Sequence, residues 1–445
     1  MLRQIGALTF AVILTSSAAR AQIIPAGTEF QVNTYTTGDQ AFPQTCFAPD
    51  GGFVVVWAGY RDQDGDFTGV FGQRYGSGGA QLGTEFQINT YTLGFQTVPA
   101  VCCDAAGRFV VVWHSSDGDG NLTGVFGQRF ASNGAFRGTE FQVNTYTTSI
   151  QANPDVCCSA DGDFVVVWRS TGQDGSQDGI FGQRFASSGA FVGTEFQVNT
   201  YTSSEQDDAH VCCDTAGDFV VAWESIGNDG SKEGVFAQRF DSNGARRGTE
   251  FQANTYTSNN QESPAICCDS AGDFVIVWDS VREDGRGNGV FGQRFDSSGE
   301  RHGTEFLVNT YTSGNEIAPS VCCGPNGDFV VAWAANYQDG GGADDYGIVA
   351  RRFTPVGGAS SEFLVNTYTT GGQIQPAVAC DPKGNFVVVW NSTPQDGDGS
   401  GVFGQRFELL GVVPTPVLSL AGLAAGVVGL FAGGVLALRR RRTRG

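Results

Sequence analysis

PAVCCDAAGRFVVVWHSSDGDGNLTGVFGQRFASNGAFRGTEFQVNTYT, residues 99–147, contains one tryptophan, and the pattern around it occurs seven times in the chain. The tryptophans stand at 57, 113, 168, 223, 278, 333 and 390, spaced by 55 to 57 residues, and Asn-Thr-Tyr-Thr recurs in step from Asn33 to Asn366. A fixed period of this length points to one supersecondary unit stacked on its own copies. Within the quoted copy, residues 100–104 (AVCCD), 109–113 (FVVVW), 125–130 (VFGQRF) and 140–144 (EFQVN) read as strands, rich in β-branched and aromatic residues. Gly, Asp and Asn fill the gaps, which is turn chemistry. Four strands per copy and seven copies predict an all-β, seven-bladed β-propeller of four-stranded blades over residues 22–408. Stacked sandwiches and an open β-solenoid are the competing folds.

The longest connection in each copy follows Tyr-Thr, so it is read as the crossing from an outer strand to the next inner one. On that phase the chain opens with an orphan outer strand, residues 29–33, and its last blade, residues 376–407, lacks one. Pairing residues 29–33 with residues 402–407 would close the ring and remove a free edge. The same phase places Arg129 and Glu140 across one hairpin, a combination repeated in every copy, with Arg406 and Glu29 matched under closure. A cross-strand ion pair is the expectation there. The repeated tryptophan is expected to pack between blades.

Twelve cysteines occupy two adjacent positions of the repeat, the first in copies one to six and the second in copies two to seven. Adjacent side chains on a strand face opposite ways, toward the two neighbouring blades. The stagger therefore suggests Cys46–Cys103, Cys102–Cys158, Cys157–Cys213, Cys212–Cys268, Cys267–Cys323 and Cys322–Cys380. Five bonds between adjacent cysteines plus Cys46–Cys380 also use all twelve, and free thiols or a bound metal are further alternatives. An even count suits an oxidising compartment.

The ends agree with export. Residues 1–21 carry an early Arg3, an apolar run and Ala19-Arg20-Ala21, the pattern of a cleaved signal peptide. A linker, 409–416, leads to an uncharged span, 417–438, long enough for a transmembrane helix, and then to a basic cytoplasmic tail, 439–445. Val413-Pro414-Thr415-Pro416, the span and the arginine cluster together resemble the tripartite C-terminal sorting signals of bacterial envelope proteins, the PEP-CTERM type, with Thr415 where that family has Glu. The resemblance implies a bacterial protein exported to the cell envelope or surface, anchored by or processed at its tail.

Between those ends, 19 basic residues face 46 acidic ones, a net charge of −27. Such a surface repels phosphate backbones and excludes nucleic acid as a partner class. Asp62, Asp64 and Asp66, and likewise Asp117 and Asp119, place oxygens at alternate positions as Ca²⁺ loops do, although Asp-Gly is also an ordinary turn dipeptide. No other cofactor is suggested. The residue after each tryptophan differs between copies, and the polar members His114, Arg169, Glu224, Asp279 and Asn391 are the candidate binding residues. Asp155 and His210 hold equivalent places in successive inner strands and could meet near the channel, but exposed positions without a role are the simpler reading.

No nucleotide loop, zinc spacing or nucleophile elbow is present, and the copies lack kelch, WD and Asp-box signatures. The chain thus reads as a monomeric, noncatalytic surface propeller that binds an extracellular glycan, matrix component or protein. The alternatives are a secreted polysaccharide hydrolase or lyase, which needs a cluster of unique polar residues, and a structural envelope protein.

Overall fold

FVVVW is apolar at every position because both faces of each blade are covered by a neighbour. Alternation then divides the strand between two cores: Val110 and Val112 pack toward Val166 and Trp168, while Val111 and Trp113 pack toward Val54 and Val56. All seven tryptophans are fully buried in such seams, as expected. The computed structural model describes residues 22–61, 63–116, 118–340 and 345–410.

Residues 25–408 form one unit of seven antiparallel sheets. In blade 2, Gln96–Cys103 is innermost, followed by Phe109–Ser116, Thr123–Phe130 and the short outer Phe141–Gln142. Blades 1 and 3 to 6 repeat this order over residues 40–87, 151–197, 206–252, 261–307 and 316–364. Blade 7 comprises Gln373–Cys380, Phe386–Ser392 and Gly401–Leu410, and its fourth strand is the N-terminal Phe30–Gln31. The closure is antiparallel, with Phe30 opposite Gly404 and Gln31 opposite Phe403, and Val32 N–H donates to Val402 O at 2.8 Å. The orphan strand therefore takes the place that the phase of the repeat required, beside Gly401–Leu410.

The staggered cysteine ladder is present in full, as six bonds with Cα separations of 5.5 to 5.7 Å. Cys102 packs in the seam with blade 3 and Cys103 in the seam with blade 1, so the adjacent pair serves two neighbours. Six disulfides suit an oxidising environment. At the seventh seam, Phe47 and Ala379 fill the space with apolar contacts instead.

The repeated Asn-Thr-Tyr-Thr is a buried clasp between blades. Asn144 Oδ1 accepts from Val125 N–H (2.8 Å), and its amide donates to Tyr146 O (2.9 Å) and to Gln151 Oε1 (3.2 Å) at the head of the next blade. The expected Arg129–Glu140 ion pair does not form. Phe141 lies opposite Gly127, which sets Glu140 one residue out of step with Arg129, so the two side chains leave opposite faces of the sheet. Arg129 donates forward to Ser187 O (2.9 Å), and Glu140 accepts backward from Thr90 N–H (2.6 Å) and Oγ1 (2.7 Å). Arg406 and Glu29 do the same at the closing blade, reaching Ser77 O (2.7 Å) and Thr367 Oγ1 (2.8 Å).

The spans expected at residues 1–21 and 417–438, and the tail 439–445, lie outside the described residues. Among the described residues no helix is long and apolar enough to cross a membrane.

Candidate functional site

Each inner strand is broken by a bulge near its start, for example between Thr97 and Ala100. The bulged residues Phe42, Val98, Asn153, Asp208, Ser263, Ala318 and Gln375 all hold φ between 50° and 55°. Six of them precede a proline, the exception being Asp208, which precedes Ala209. Left-handed backbone at non-glycine residues is costly, and seven such residues in a ring shape one mouth of the central channel. The mouth encloses a cavity of about 520 Å³ into which Asp155, Asp208 and His210 face.

A bulge takes its N–H out of the sheet ladder, and the residue after the preceding blade's tryptophan is placed to receive it. His114 Nδ1 accepts from Asn153 N–H (3.3 Å), Glu224 Oε1 accepts from Ser263 N–H, and Asp279 is bonded to the backbone of Ala318. Arg169 has no acceptor. Asp208 N–H therefore turns to Asp207 Oδ1 (2.7 Å), and Arg169 Nη1 holds Asp207 Oδ2 at 2.8 Å. Asn391 bonds Gln375 Oε1 within its own blade (3.1 Å). The five candidate binding residues thus form a layer beneath the mouth, and Asp279 and Asn391 are buried there at 2% and 4% exposure.

Blades 3 to 5 differ from the rest in chemistry. His210 Nδ1 is 3.4 Å from Asp155 Oδ2, and its Nε2 is 3.8 Å from Asp208 Oδ1. Burial acts to lower the His210 pKa, but hydrogen bonds and charge from the two aspartates outweigh it and push the value up to about 10. Burial, reinforced by the charge of Asp208, pushes the Glu224 carboxyl up to about 9 against the Ser263 N–H. Burial likewise raises Asp279 to about 7, and burial together with the neighbouring Glu262 raises Glu233 to about 7. His114 falls to about 4 through burial and the charge of Arg169. This arrangement sets Glu224, pushed up to about 9, within the influence of Asp208, and His210, pushed up to about 10, between Asp155 and Asp208. Groups whose pKa values are driven apart in one place are suited to acid and base roles.

Sequence reasoning named Glu224, Arg169, His114 and Asp279 but missed Asp207, Asp208, Glu233 and Glu262, and it set aside Asp155 and His210. A signal existed at Ala209, which stands in the one copy with Asp at the bulge and replaces the proline that follows the bulge residue in every other copy. The acidic loops behave as turns: Asp64 Oδ1 accepts from Asp66 N–H (3.2 Å), Asp66 Oδ2 from Gly94 N–H (2.9 Å), and Asp119 Oδ1 from Asn121 N–H (3.0 Å). Asp62 and Asp117 lie outside the described residues. Among the described residues, no three His, Cys, Asp or Glu side chains are grouped to hold a metal ion.

No protein-family model and no curated protein matches the chain. Solved structures do. A protein of unknown function from Dyadobacter fermentans is 9% identical with a TM-score of 0.52, covering 87% of this chain and 99% of its own. The polysaccharide lyase Uly1 is 9% identical with a TM-score of 0.50, covering 87% and 100%. A family GH93 α-L-arabinofuranosidase of Fusarium graminearum, solved with arabinobiose, is 10% identical with a TM-score of 0.47, covering 86% and 98%. Such identities establish the fold. The expectation of a noncatalytic binding propeller rested on the lack of a cluster of unique polar residues, and the structure corrects it: such a cluster is present in blades 3 to 5.

Proposed function

We propose that the protein is a polysaccharide-cleaving enzyme, a hydrolase or lyase, working at the channel mouth of blades 3 to 5. The observation that carries the reading is the cluster in which Asp155, Asp208 and His210 line the cavity while the Glu224 carboxyl, pushed up to about 9 by burial and the charge of Asp208, lies in the layer beneath them on Ser263 N–H. Glycosidic hydrolysis uses one carboxyl to protonate the leaving oxygen and a second to assist attack from the other side. Glu224 would serve as the proton donor, Asp208 as the carboxylate, and His210 with Asp155 as the pair that positions Asp208. Arg169 keeps Asp207 in place at 2.8 Å.

Hydrolysis of a neutral polymer fits better than elimination from a polyanion, since the net charge of −27 over residues 22–438 opposes the approach of one. The six disulfides are consistent with work outside the cell. A screen of neutral and anionic polysaccharides with the wild-type protein and with Glu224→Gln tests the proposal. Turnover of a neutral polymer that falls about 100-fold or more in the variant is expected from loss of general-acid catalysis; equal turnover by both proteins would refute it.

A further inference from the structure

The sevenfold repeat supplies its own control for any side chain. On the face that carries the channel mouth, the residue before each third strand meets the residue before the next inner strand. At the seam of blades 1 and 2 these are Phe67 and Phe95, whose rings stack at 5.1 Å with an interplanar angle of 22°. They remain 58% and 49% exposed, and Leu93 in the same loop is 62% exposed. At the next seam the same two places hold Leu122, 56% exposed, and Ile150. The other five seams carry polar or glycine pairs there, such as Gln177 with Glu205 and Lys232 with Asn260. Five blades close without apolar groups at this place, so folding does not need them.

The platform is also held still. Thr68 and Phe95 form a parallel bridge, Phe95 N–H donates to Ser116 Oγ at 2.8 Å, Phe95 O accepts from Ser116 N–H at 2.8 Å, and Gly94 N–H is tied to Asp66 Oδ2 at 2.9 Å. Exposed apolar patches on a rigid frame mark places where ligands sit. We propose that Phe67, Phe95 and Leu93, continued by Leu122, form a stacking subsite for the sugar rings of a neutral glycan. This deepens, and rests on, the reading of blades 3 to 5 as a glycan-cleaving site. The faces of neutral sugars that carry C–H groups pack on aromatic rings, and the strongly acidic surface disfavours polyanions and anionic membranes.

The test measures binding apart from turnover. Affinity electrophoresis of the intact protein through gels holding arabinan, xylan, a mixed-linkage glucan or polygalacturonate is run for wild type, the double variant Phe67→Ala/Phe95→Ala, and Glu224→Gln, with flotation on phosphatidylcholine vesicles alongside. Retention of wild type and Glu224→Gln by at least one neutral polymer, weakened about tenfold or more in the double variant at unchanged melting temperature, is expected. Equal retention of wild type and double variant, retention of neither, or depletion by vesicles without retention by glycan would overturn the subsite. Retention that depends on Phe67 and Phe95 in a protein with no turnover would instead remove the catalytic reading and leave the subsite standing.

Discussion

His210 Nδ1 lies 3.4 Å from Asp155 Oδ2 across the seam of blades 3 and 4, and the two residues occupy the same place in successive inner strands. The His210 pKa is raised from 6.5 to about 10, so the native state binds a proton that the unfolded chain releases. The stabilisation is complete below about pH 6.5 and fades as pH rises through about 10. His210→Gln should lower stability by about 1 kcal/mol at pH 6, since the half-buried pair is partly screened. Urea melts of both proteins at pH 6 and above pH 10 check this; a gap that does not close at high pH would refute the pairing.

Activity should decline as pH rises through about 9, where Glu224 loses the proton it would donate. Asp208→Asn should lower that apparent pKa, because it removes a charge that holds the proton on Glu224, and should also depress kcat. A pH–rate profile whose alkaline limb does not move in Asp208→Asn would separate Asp208 from Glu224.

Glu316 stands where the other blades have a clasp glutamine, Gln40, Gln96, Gln151, Gln206, Gln261 or Gln373, and it is fully buried. Burial, with the charges of Asp284 and Glu362, pushes its carboxyl from 4.5 up to about 8. The native state therefore loses stability as pH rises from about 4.5 to about 8, the reverse of an ion-paired carboxylate. Glu316→Gln should raise stability by ~3 kcal/mol at pH 7 and by little at pH 4, on the basis of 1.36 kcal/mol per pKa unit. Melting temperatures at the two pH values decide it.

Each disulfide closes a loop of 56 to 58 residues between neighbouring blades. Replacing Cys157 and Cys213 together by Ser should cost up to about 4 kcal/mol in the chain-entropy account. Non-reducing peptide maps of the wild type should return the six staggered links, and a peptide joined only through Cys102 and Cys103 would contradict the ladder.

Much of this molecule was readable before folding was considered. The tryptophan period counts the blades, the phase of EFQVN locates the closing strand, and the offset of the two cysteine positions suggests the partners that the structure shows. These are properties of a repeat: copies of one sequence adopt one structure, and departures at the first and last copy reveal how the ring is joined. The Arg129–Glu140 pair failed because spacing along a hairpin does not specify register. Phe141 opposite Gly127 turns the two side chains to opposite faces, a one-residue matter that only pairing decides.

The sequence by itself determined the number of blades and the seam-facing alternation of Val110 to Trp113, which follow from period and strand alternation, whereas the staggered ladder was one of several pairings it allowed until the blades were packed. Only the tertiary structure decided the site. Asp155, Asp208, His210 and Glu224 come from two neighbouring blades, and Asp208 sits on a bulge whose register only strand pairing decides. Burial raises the Glu224 carboxyl and the two aspartates raise His210 against its burial, and both environments exist only once neighbouring blades have packed.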